Sequence, residues 1–205
     1  DGESHSIRVE AVLSPKDEIK LDKENFQWSY AQIAHKLKMT KPLKGTAADD
    51  TKETVYHSFD EPELGIEDQL KMIAKENPHL VRLHTIGHSI QGRPLYAMSL
   101  TKEGSKRRFH KPKPEVLYLA THHAREWIAT QMAMRLIKHF TNNYGNDGRV
   151  TNLLETSKIW IIPCANPDGY EYTFTHERLW RKNLRDNNGD QEITLVDGVD
   201  LNRNF

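Results

Sequence analysis

The pattern of apolar and polar positions becomes regular from about residue 55 and predicts strands that alternate with helices. The run Glu115–Ala120 is apolar enough for a buried strand, and a broad apolar stripe at helical spacing follows it over Trp127–Phe140. A shorter helix is predicted at Asp147–Ser157 and a second buried strand at Ile159–Pro163. Two apolar strands that flank a long helix are typical of a β-α-β unit in a parallel sheet.

The segment before this unit predicts a helix and a hairpin. Leu64–Glu76 has a helical pattern that Asn77-Pro78 ends. Val81–Ile86 and Leu95–Leu100 are predicted strands, and the turn-rich Gly87–Pro94 between them favours a hairpin. An antiparallel hairpin beside a parallel unit gives the α/β class, with a mixed, partly parallel sheet and helices on both faces.

Residues 1–53 are polar and charge-rich and carry no recognisable chemistry. Ile7–Leu13 alternates enough for a short strand, and Phe26–Met39 has the spacing of an amphipathic helix. The simplest interpretation is a scaffold or spacer, so we expect a domain boundary between this segment and residues 54–205.

Composition excludes several classes of function. The 205 residues carry a formal net charge of zero, so nothing indicates nucleic-acid binding, and no run of about 20 apolar residues predicts a membrane span. Cys164 is the only cysteine, so an internal disulfide is impossible. The basic stretch Lys102–Lys113 is typical of a solvated surface loop. The oxygen-rich stretch Asp186–Glu192 is a weak calcium candidate, because it lacks the glycine that an EF-hand has at its sixth loop position.

The candidate chemistry lies in Thr121–Trp127, between the predicted buried strand and the long helix. His123 and Glu126 provide a nitrogen and an oxygen donor of the kinds that bind zinc at about 2 Å. One short turn would aim both into the crevice beyond the carboxyl ends of the strands, where open α/β sheets bind ligands. The spacing alone is weak evidence, since a loop histidine beside a glutamate at a helix start would look the same.

Four motifs in order strengthen this hypothesis: HAREW, NPDGY, LWRKN and GVDLNRNF, which begin at His123, Asn166, Leu179 and Gly198. Together they closely resemble the zinc carboxypeptidases of the pancreatic A and B type and bacterial relatives such as carboxypeptidase T. The resemblance runs from about Val55 to Phe205. It implies that residues 54–205 are the N-terminal half of a catalytic domain, and that residues 1–53 are a pro-segment, a linker or the remnant of a preceding domain.

The resemblance implies one zinc ion held by His123 and Glu126. Asp200 would accept a hydrogen bond from the free ring N–H of His123 and so fix its tautomer. His122 has the wrong spacing to Glu126 and is expected to be a neighbour that does not bind the metal. In that family a third ligand, a histidine, and a glutamate that acts as general base follow well downstream, and neither can be assigned in this sequence.

Three arginines and an asparagine acquire roles by the same resemblance. Arg181 is the implied catalytic residue that stabilises the oxyanion forming at the scissile carbonyl. Asn202 and Arg203 would bind the terminal carboxylate of the substrate, a task that suits the planar guanidinium. Arg125 would contribute to a neighbouring subsite.

The implied function is zinc-dependent removal of C-terminal amino acids from peptides or proteins, in a secreted enzyme. The implied partner is a substrate with a free C-terminus, and the missing C-terminal half is a further candidate; neither nucleic acid nor a membrane is implied. Three alternatives remain: a related zinc amidase that acts on cell-wall peptides or N-acyl amino acids, a non-catalytic binding module of the same fold, and a fragment that pairs with a complementary chain.

Overall fold

A computed structural model of the chain describes residues 56–104 and 112–204. The predicted strand Ile7–Leu13, the predicted helix Phe26–Met39 and most of the stretch Lys102–Lys113 lie outside these ranges, as does the predicted boundary at residue 53. Within the described ranges, no helix combines the length and the apolar character that crossing a membrane requires.

Four helices and four strands make up the described fold. In chain order they are α1 (Ile66–Glu76), β1 (Val81–His88), β2 (Pro94–Leu100), β3 (Glu115–Leu119), α2 (Trp127–Asn143), α3 (Gly148–Thr156), β4 (Lys158–Ile162) and α4 (Pro167–Thr175). The strands form one sheet in the order β1-β2-β4-β3. Strands β1 and β2 are antiparallel, β2 and β4 are antiparallel, and β3 and β4 are parallel. This arrangement confirms the predicted α/β class and its mixed, partly parallel sheet.

The core forms where β2 and β4 meet in the middle of the sheet. Met98 pairs with Ile161 and Leu100 pairs with Ile159, and all four side chains are buried. Side chains from the apolar stripes of the helices join them in one cluster: Ile66, Leu70 and Ile73 of α1, Ala133, Met134, Ile137 and Phe140 of α2, and Val150 and Leu154 of α3. Burial of these stripes is therefore what holds the helices to the sheet.

The two strands predicted to be buried differ in their surroundings. Strand β4 has neighbours on both sides, whereas β3 is an edge strand of the described sheet and pairs only with β4. Every residue of β3 is exposed, with Leu117 56% and Tyr118 49% accessible. The prediction of a buried strand was therefore wrong for β3, because an apolar run reveals a strand's preference for burial and not its place in the sheet order.

The NPDG segment of the second motif begins a helix. Pro167 opens helix α4 at a position where the missing N–H of proline costs nothing, and the Asn166 side chain caps the helix by accepting from the N–H of Gly169 at 3.1 Å. Asn, Pro, Asp and Gly are typical turn residues, but in this segment they mark the start of a helix.

An exposed apolar edge strand should cause the isolated 205-residue chain to self-associate, because unpaired N–H and C=O groups flanked by apolar side chains attract other strands. We expect Leu117→Lys on β3 to reduce this association, as measured by light scattering and elution volume over a concentration series. The matched control is Met72→Lys, which replaces another exposed apolar side chain, on helix α1, and should change nothing.

Two results would contradict this expectation. One is a wild-type chain that elutes as a monomer at every concentration and unfolds cooperatively. The other is an equal effect of the two lysine variants, which would assign the association to general surface hydrophobicity and not to β3.

Candidate functional site

The candidate site lies at the carboxyl ends of the parallel strands β3 and β4. Just past the strands, the Ala120 N–H donates to the Ile162 carbonyl at 2.9 Å, and the Ala165 N–H donates to the Ala120 carbonyl at 3.0 Å. The chain segments that leave the two strands therefore start side by side, which is the position at which open α/β sheets bind ligands.

A tight turn carries His123 and Glu126 from β3 into helix α2. It begins with Thr121 in a left-handed conformation (φ 53°), and the buried Thr121 hydroxyl lies 2.7 Å from that of Thr130 on the helix. Glu126 precedes the first helical residue, yet its side chain makes no capping hydrogen bond to α2. Its Oε1 atom lies instead 2.9 Å from Nδ1 of His123. The Glu126 carboxylate thus contacts the imidazole ring of His123 and does not cap the helix.

Asp200 joins His123 to Arg181. Its Oδ1 atom lies 3.2 Å from Nε2 of His123, and its Oδ2 atom accepts from Nε of Arg181 at 2.8 Å. The backbone N–H of Asn202 also donates to Oδ1 at 3.0 Å. The hydrogen bond from Arg181 is the main reason that the pKa of Asp200 falls to about 2, and partial burial opposes it. Asp200 is therefore an anion throughout the neutral range.

Both ring nitrogens of His123 face carboxylate oxygens. An ionised carboxylate can only accept, so Nε2 must carry a proton in order to bond Asp200. In the neutral ring Nδ1 then has a lone pair directed at Glu126 Oε1, which also carries lone pairs. A cation at this point, either a proton or a metal ion, removes the conflict. Nitrogen and carboxylate donors that converge on one point, with the other ring nitrogen held by a carboxylate, fit the donor set of a zinc site.

The third donor of such a site is not found in the described part of the chain. Within residues 56–104 and 112–204, no cluster of three or more His, Cys, Asp or Glu side chains could hold a metal ion. Cys164 is no alternative, because it is buried and burial raises the pKa of its thiol to about 12. The residues present thus fit two positions of a zinc centre.

Arg181 lies next to the two atoms that could bind zinc, Nδ1 of His123 and Oε1 of Glu126. Its guanidinium is partly exposed, and its Nη1 atom lies 3.9 Å from Glu126 Oε1. The Arg181 carbonyl accepts from the N–H of Ala124, next to His123, at 3.0 Å. Both the main chain and the side chain of Arg181 are therefore tied to the turn that carries His123 and Glu126.

Asn166 is a buried residue of the site that sequence reasoning recognised only as part of a motif. Its Nδ2 atom donates to the carbonyl of His122 at 3.2 Å and to the carbonyl of Lys182 at 3.0 Å. These two acceptors neighbour His123 and Arg181 in the sequence. An asparagine four positions after the end of a strand, followed by Pro-Asp-Gly, was the signal that could have identified it.

The segment that carries Asp200 is held against the segment that carries Arg181. The Asn183 N–H donates to the carbonyl of Val199 at 3.1 Å, and the Asn183 side chain accepts from the N–H of Val199 at 2.7 Å. Gly198 has a φ of 79°, and a Cβ atom there would collide with the Asn183 carbonyl oxygen. Only glycine allows this approach, which explains the glycine that opens the GVDLNRNF motif.

The structure does not bring the remaining predicted residues into contact with His123 and Glu126. Arg125 is exposed, and its carbonyl accepts from Nη1 of Arg178 at 3.1 Å. Asn202 and Arg203 are exposed and follow Asp200 directly, with the Arg203 N–H donating to the Asp200 carbonyl at 3.0 Å. The Arg203 guanidinium donates to the carbonyl of Asn202 at 2.7 Å. These side chains therefore lie at the solvent-facing rim of the site.

Arg178 was missed by the sequence analysis. Its guanidinium carbon lies 3.6 Å from the centre of the Trp127 ring, a cation–π contact at the start of α2. Partial burial lowers its pKa. Its position near Arg125 makes this edge of the site more basic than the predicted residues alone would suggest.

Comparisons with known proteins agree on one family. The family profile described as zinc carboxypeptidase matches residues 66–205. A zinc carboxypeptidase of Saccharothrix mutabilis subsp. capreolus is 36% identical over 176 residues, which cover 85% of this chain and 38% of the relative. Human carboxypeptidase A1 is 30% identical over 203 residues, which cover 99% of this chain and 42% of the relative. The chain thus spans less than half the length of these relatives.

Solved structures give the same result. The structure of thrombin activatable fibrinolysis inhibitor aligns with a TM-score of 0.64 at 30% identity, over 78% of this chain and 37% of that one. Carboxypeptidase A of Helicoverpa armigera aligns with a TM-score of 0.61 at 26% identity, over 93% of this chain and 41% of that one.

Removal of the Asp200 carboxylate should change which ring nitrogen of His123 carries the proton. In Asp200→Ala, Nε2 loses its acceptor while Nδ1 keeps the Glu126 carboxylate at 2.9 Å, so we expect the neutral ring to shift toward the tautomer that carries its proton on Nδ1. Ring ¹⁵N chemical shifts of the zinc-free chain at mildly alkaline pH measure this change. Asp190→Ala, in an exposed loop where Asp190 bonds only its near neighbours, is the control. Identical His123 shifts in the wild type and in Asp200→Ala would contradict the assigned hydrogen bond.

Proposed function

The chain belongs to the zinc carboxypeptidase family, and from this membership we propose that the protein is a zinc-dependent hydrolase that removes C-terminal amino acids from peptides or proteins. The observation that carries the proposal is the cluster of His123, Glu126, Arg181 and Asp200 at the carboxyl ends of β3 and β4. A nitrogen and an oxygen atom that could bind a metal ion lie next to a guanidinium. Hydrolysis of an amide needs both an electrophile, which the metal ion would supply, and a group that stabilises the oxyanion.

His123 and Glu126 would hold one zinc ion, with Nδ1 and a carboxylate oxygen as donors. Zinc bound there would supply a Lewis acid for the scissile carbonyl. Asp200 keeps the proton of His123 on Nε2 and so leaves the Nδ1 lone pair available. Arg181 lowers the pKa of Asp200, so this carboxylate remains an acceptor for the His123 ring well below neutral pH.

Arg181 would stabilise the negative charge that develops on the carbonyl oxygen. The ion pair with Asp200 fixes its Nε atom, so the side chain is oriented before the substrate arrives. A preorganised donor of this kind contributes to the rate because no reorganisation is needed during the reaction, and loss of one such donor costs about 100- to 1,000-fold in kcat.

Asn202 and Arg203 would recognise the terminal carboxylate, and Arg125 would serve a neighbouring subsite. All three are exposed at the rim, where an incoming peptide end could reach them. A guanidinium retains its charge at every physiological pH and can bind a carboxylate through two parallel hydrogen bonds. This feature favours a substrate with a free C-terminus over the amides of the alternative zinc amidase.

Several finer points stay predictions. They are the extracellular location, the pro-segment, linker or domain-remnant role of residues 1–53, and a calcium ion at Asp186–Glu192. In that loop the Asp186 carboxylate already accepts from the backbone N–H groups of Asn188, Gly189 and Gln191, which lowers its pKa. These contacts explain the acidic loop without a metal ion.

The substrate proposal predicts a selective effect of Arg203→Ala in the full-length protein. Hydrolysis of peptides with a free C-terminus should fall by about 30-fold or more in kcat/KM, because truncation of one partner of a charge pair that substrate binding buries costs roughly 2–5 kcal/mol. C-terminally amidated peptides should be poor substrates from the start and should be little affected. The measurement is kcat/KM on a matched pair of peptides.

Arg149→Ala is the control for this test, because Arg149 is almost fully exposed on helix α3 and its guanidinium lies 3.6 Å from the Asp147 carboxylate. It should leave both rates unchanged. Equal proportional losses on the free and amidated peptides in Arg203→Ala would refute the carboxylate role.

The metal proposal predicts that His123→Ala removes zinc binding. We expect the dissociation constant, measured by competition with a chromogenic chelator, to rise by more than about 100-fold, since even the loss of a supporting partner costs 10- to 100-fold. His139→Ala is the matched control, because His139 is exposed on helix α2 and contacts Asn143. Unchanged zinc affinity in His123→Ala would place the metal elsewhere.

A further inference from the structure

Asn166 is a buried amide whose three hydrogen bonds go in different directions. It is only 2% exposed and lies between the end of β4 and the start of α4. Its Oδ1 atom accepts from the N–H of Gly169 at 3.1 Å and so caps the helix. Its Nδ2 atom uses both protons, one for the carbonyl of His122 at 3.2 Å and one for the carbonyl of Lys182 at 3.0 Å.

The two carbonyl acceptors belong to the two segments that carry the candidate chemistry. His122 directly precedes the zinc-type ligand His123, and Lys182 directly follows Arg181. The segments meet at one further main-chain bond, from Ala124 N–H to the Arg181 carbonyl at 3.0 Å. Asn166 therefore bridges the segments one residue away from each functional side chain.

We infer that Asn166 is a positioning residue that sets the distance between His123 and Arg181. This inference rests on the proposed function, in which the two side chains act on the same carbonyl group. Asn166 would not touch the substrate and would act only through the carbonyls of His122 and Lys182. A catalytic group displaced by about 1 Å can lose about 100-fold in rate, so a rigid bridge at this point matters.

A role as a helix cap alone does not account for these contacts. Capping uses only Oδ1, and Asp or Ser would cap as well as Asn does. The two donated bonds need an NH₂ group, which among these capping side chains only Asn has. The start of helix α4 also packs closely against the Lys182 carbonyl, because a Cβ atom on Gly169 would lie 2.5 Å from the Lys182 oxygen. The Asn166 side chain therefore joins the His122 and Lys182 segments and also caps helix α4.

The test uses Asn166→Asp and Asn166→Ser in the full-length protein. Both substitutions keep an acceptor for the Gly169 N–H, and neither side chain has the two N–H donors that Asn166 uses. Asn166→Asp preserves volume but turns a second oxygen toward two carbonyls, whereas Asn166→Ser adds no charge. If Asn166→Asp does not fold, Asn166→Ser carries the test.

We expect zinc affinity to fall by 10- to 100-fold in each folded variant and kcat to fall by at least 10-fold, with a much smaller change in KM. Asp147→Ala is the control for a merely structural effect. It removes the cap of α3, where Asp147 accepts from the N–H of Arg149 at 2.7 Å and of Val150 at 3.4 Å. It should lower thermal stability and leave zinc affinity and kcat unchanged.

The inference is overturned if the folded Asn166 variants retain wild-type zinc affinity and kcat, or if Asp147→Ala loses both to the same extent for the same loss of stability. Failure of the proposed function is a separate result. A wild-type protein that binds zinc but does not hydrolyse peptides would refute the carboxypeptidase activity. The zinc affinities of the Asn166 variants would then still decide whether the bridge positions His123.

Discussion

The candidate site depends on a single carboxylate that serves two functional side chains at once. Asp200 holds the imidazole of His123 with one oxygen and the guanidinium of Arg181 with the other. Each of these groups, partly removed from water, would be costly without a partner of opposite charge or a hydrogen bond. One anion therefore fixes a ring tautomer and the direction of a cation, and the cation in return keeps the anion ionised.

The rest of the fold brings this carboxylate to the turn at the end of β3. Parallel pairing of β3 with β4 places the two outgoing segments side by side, and Asn166 joins the His123 turn to the Arg181 segment. The Arg181 segment is in turn joined to the Asp200 segment through Asn183, at a point where only Gly198 allows the backbones to approach. The site is thus assembled by hydrogen bonds between loops, on a scaffold whose strands and helices are fixed by the core.

Strand β3 has two contrasting surroundings along one short segment. Its carboxyl end leads into a turn in which Thr121 and His123 are buried, while its five residues are exposed. An apolar strand usually gains its stability from cover on both faces. The described sheet gives β3 a neighbour on one side only, so the element that positions the zinc-type ligands is also the least protected part of the sheet.

The sequence by itself predicted most of the helices and strands and the residues of the candidate site. Apolar periodicity located α1, α2, α3 and the four strands, because the repeat of a helix or strand is a local property. Motif order and residue type identified His123, Glu126, Arg181 and Asp200, and the structure places these four together. Tertiary structure decided what local patterns do not contain: that β4 is central and β3 is an edge, that NPDG opens a helix, and that Asn166 bridges two segments. His123 and Asp200 are 77 positions apart, and their contact exists only because the core fixes how the intervening strands and helices pack.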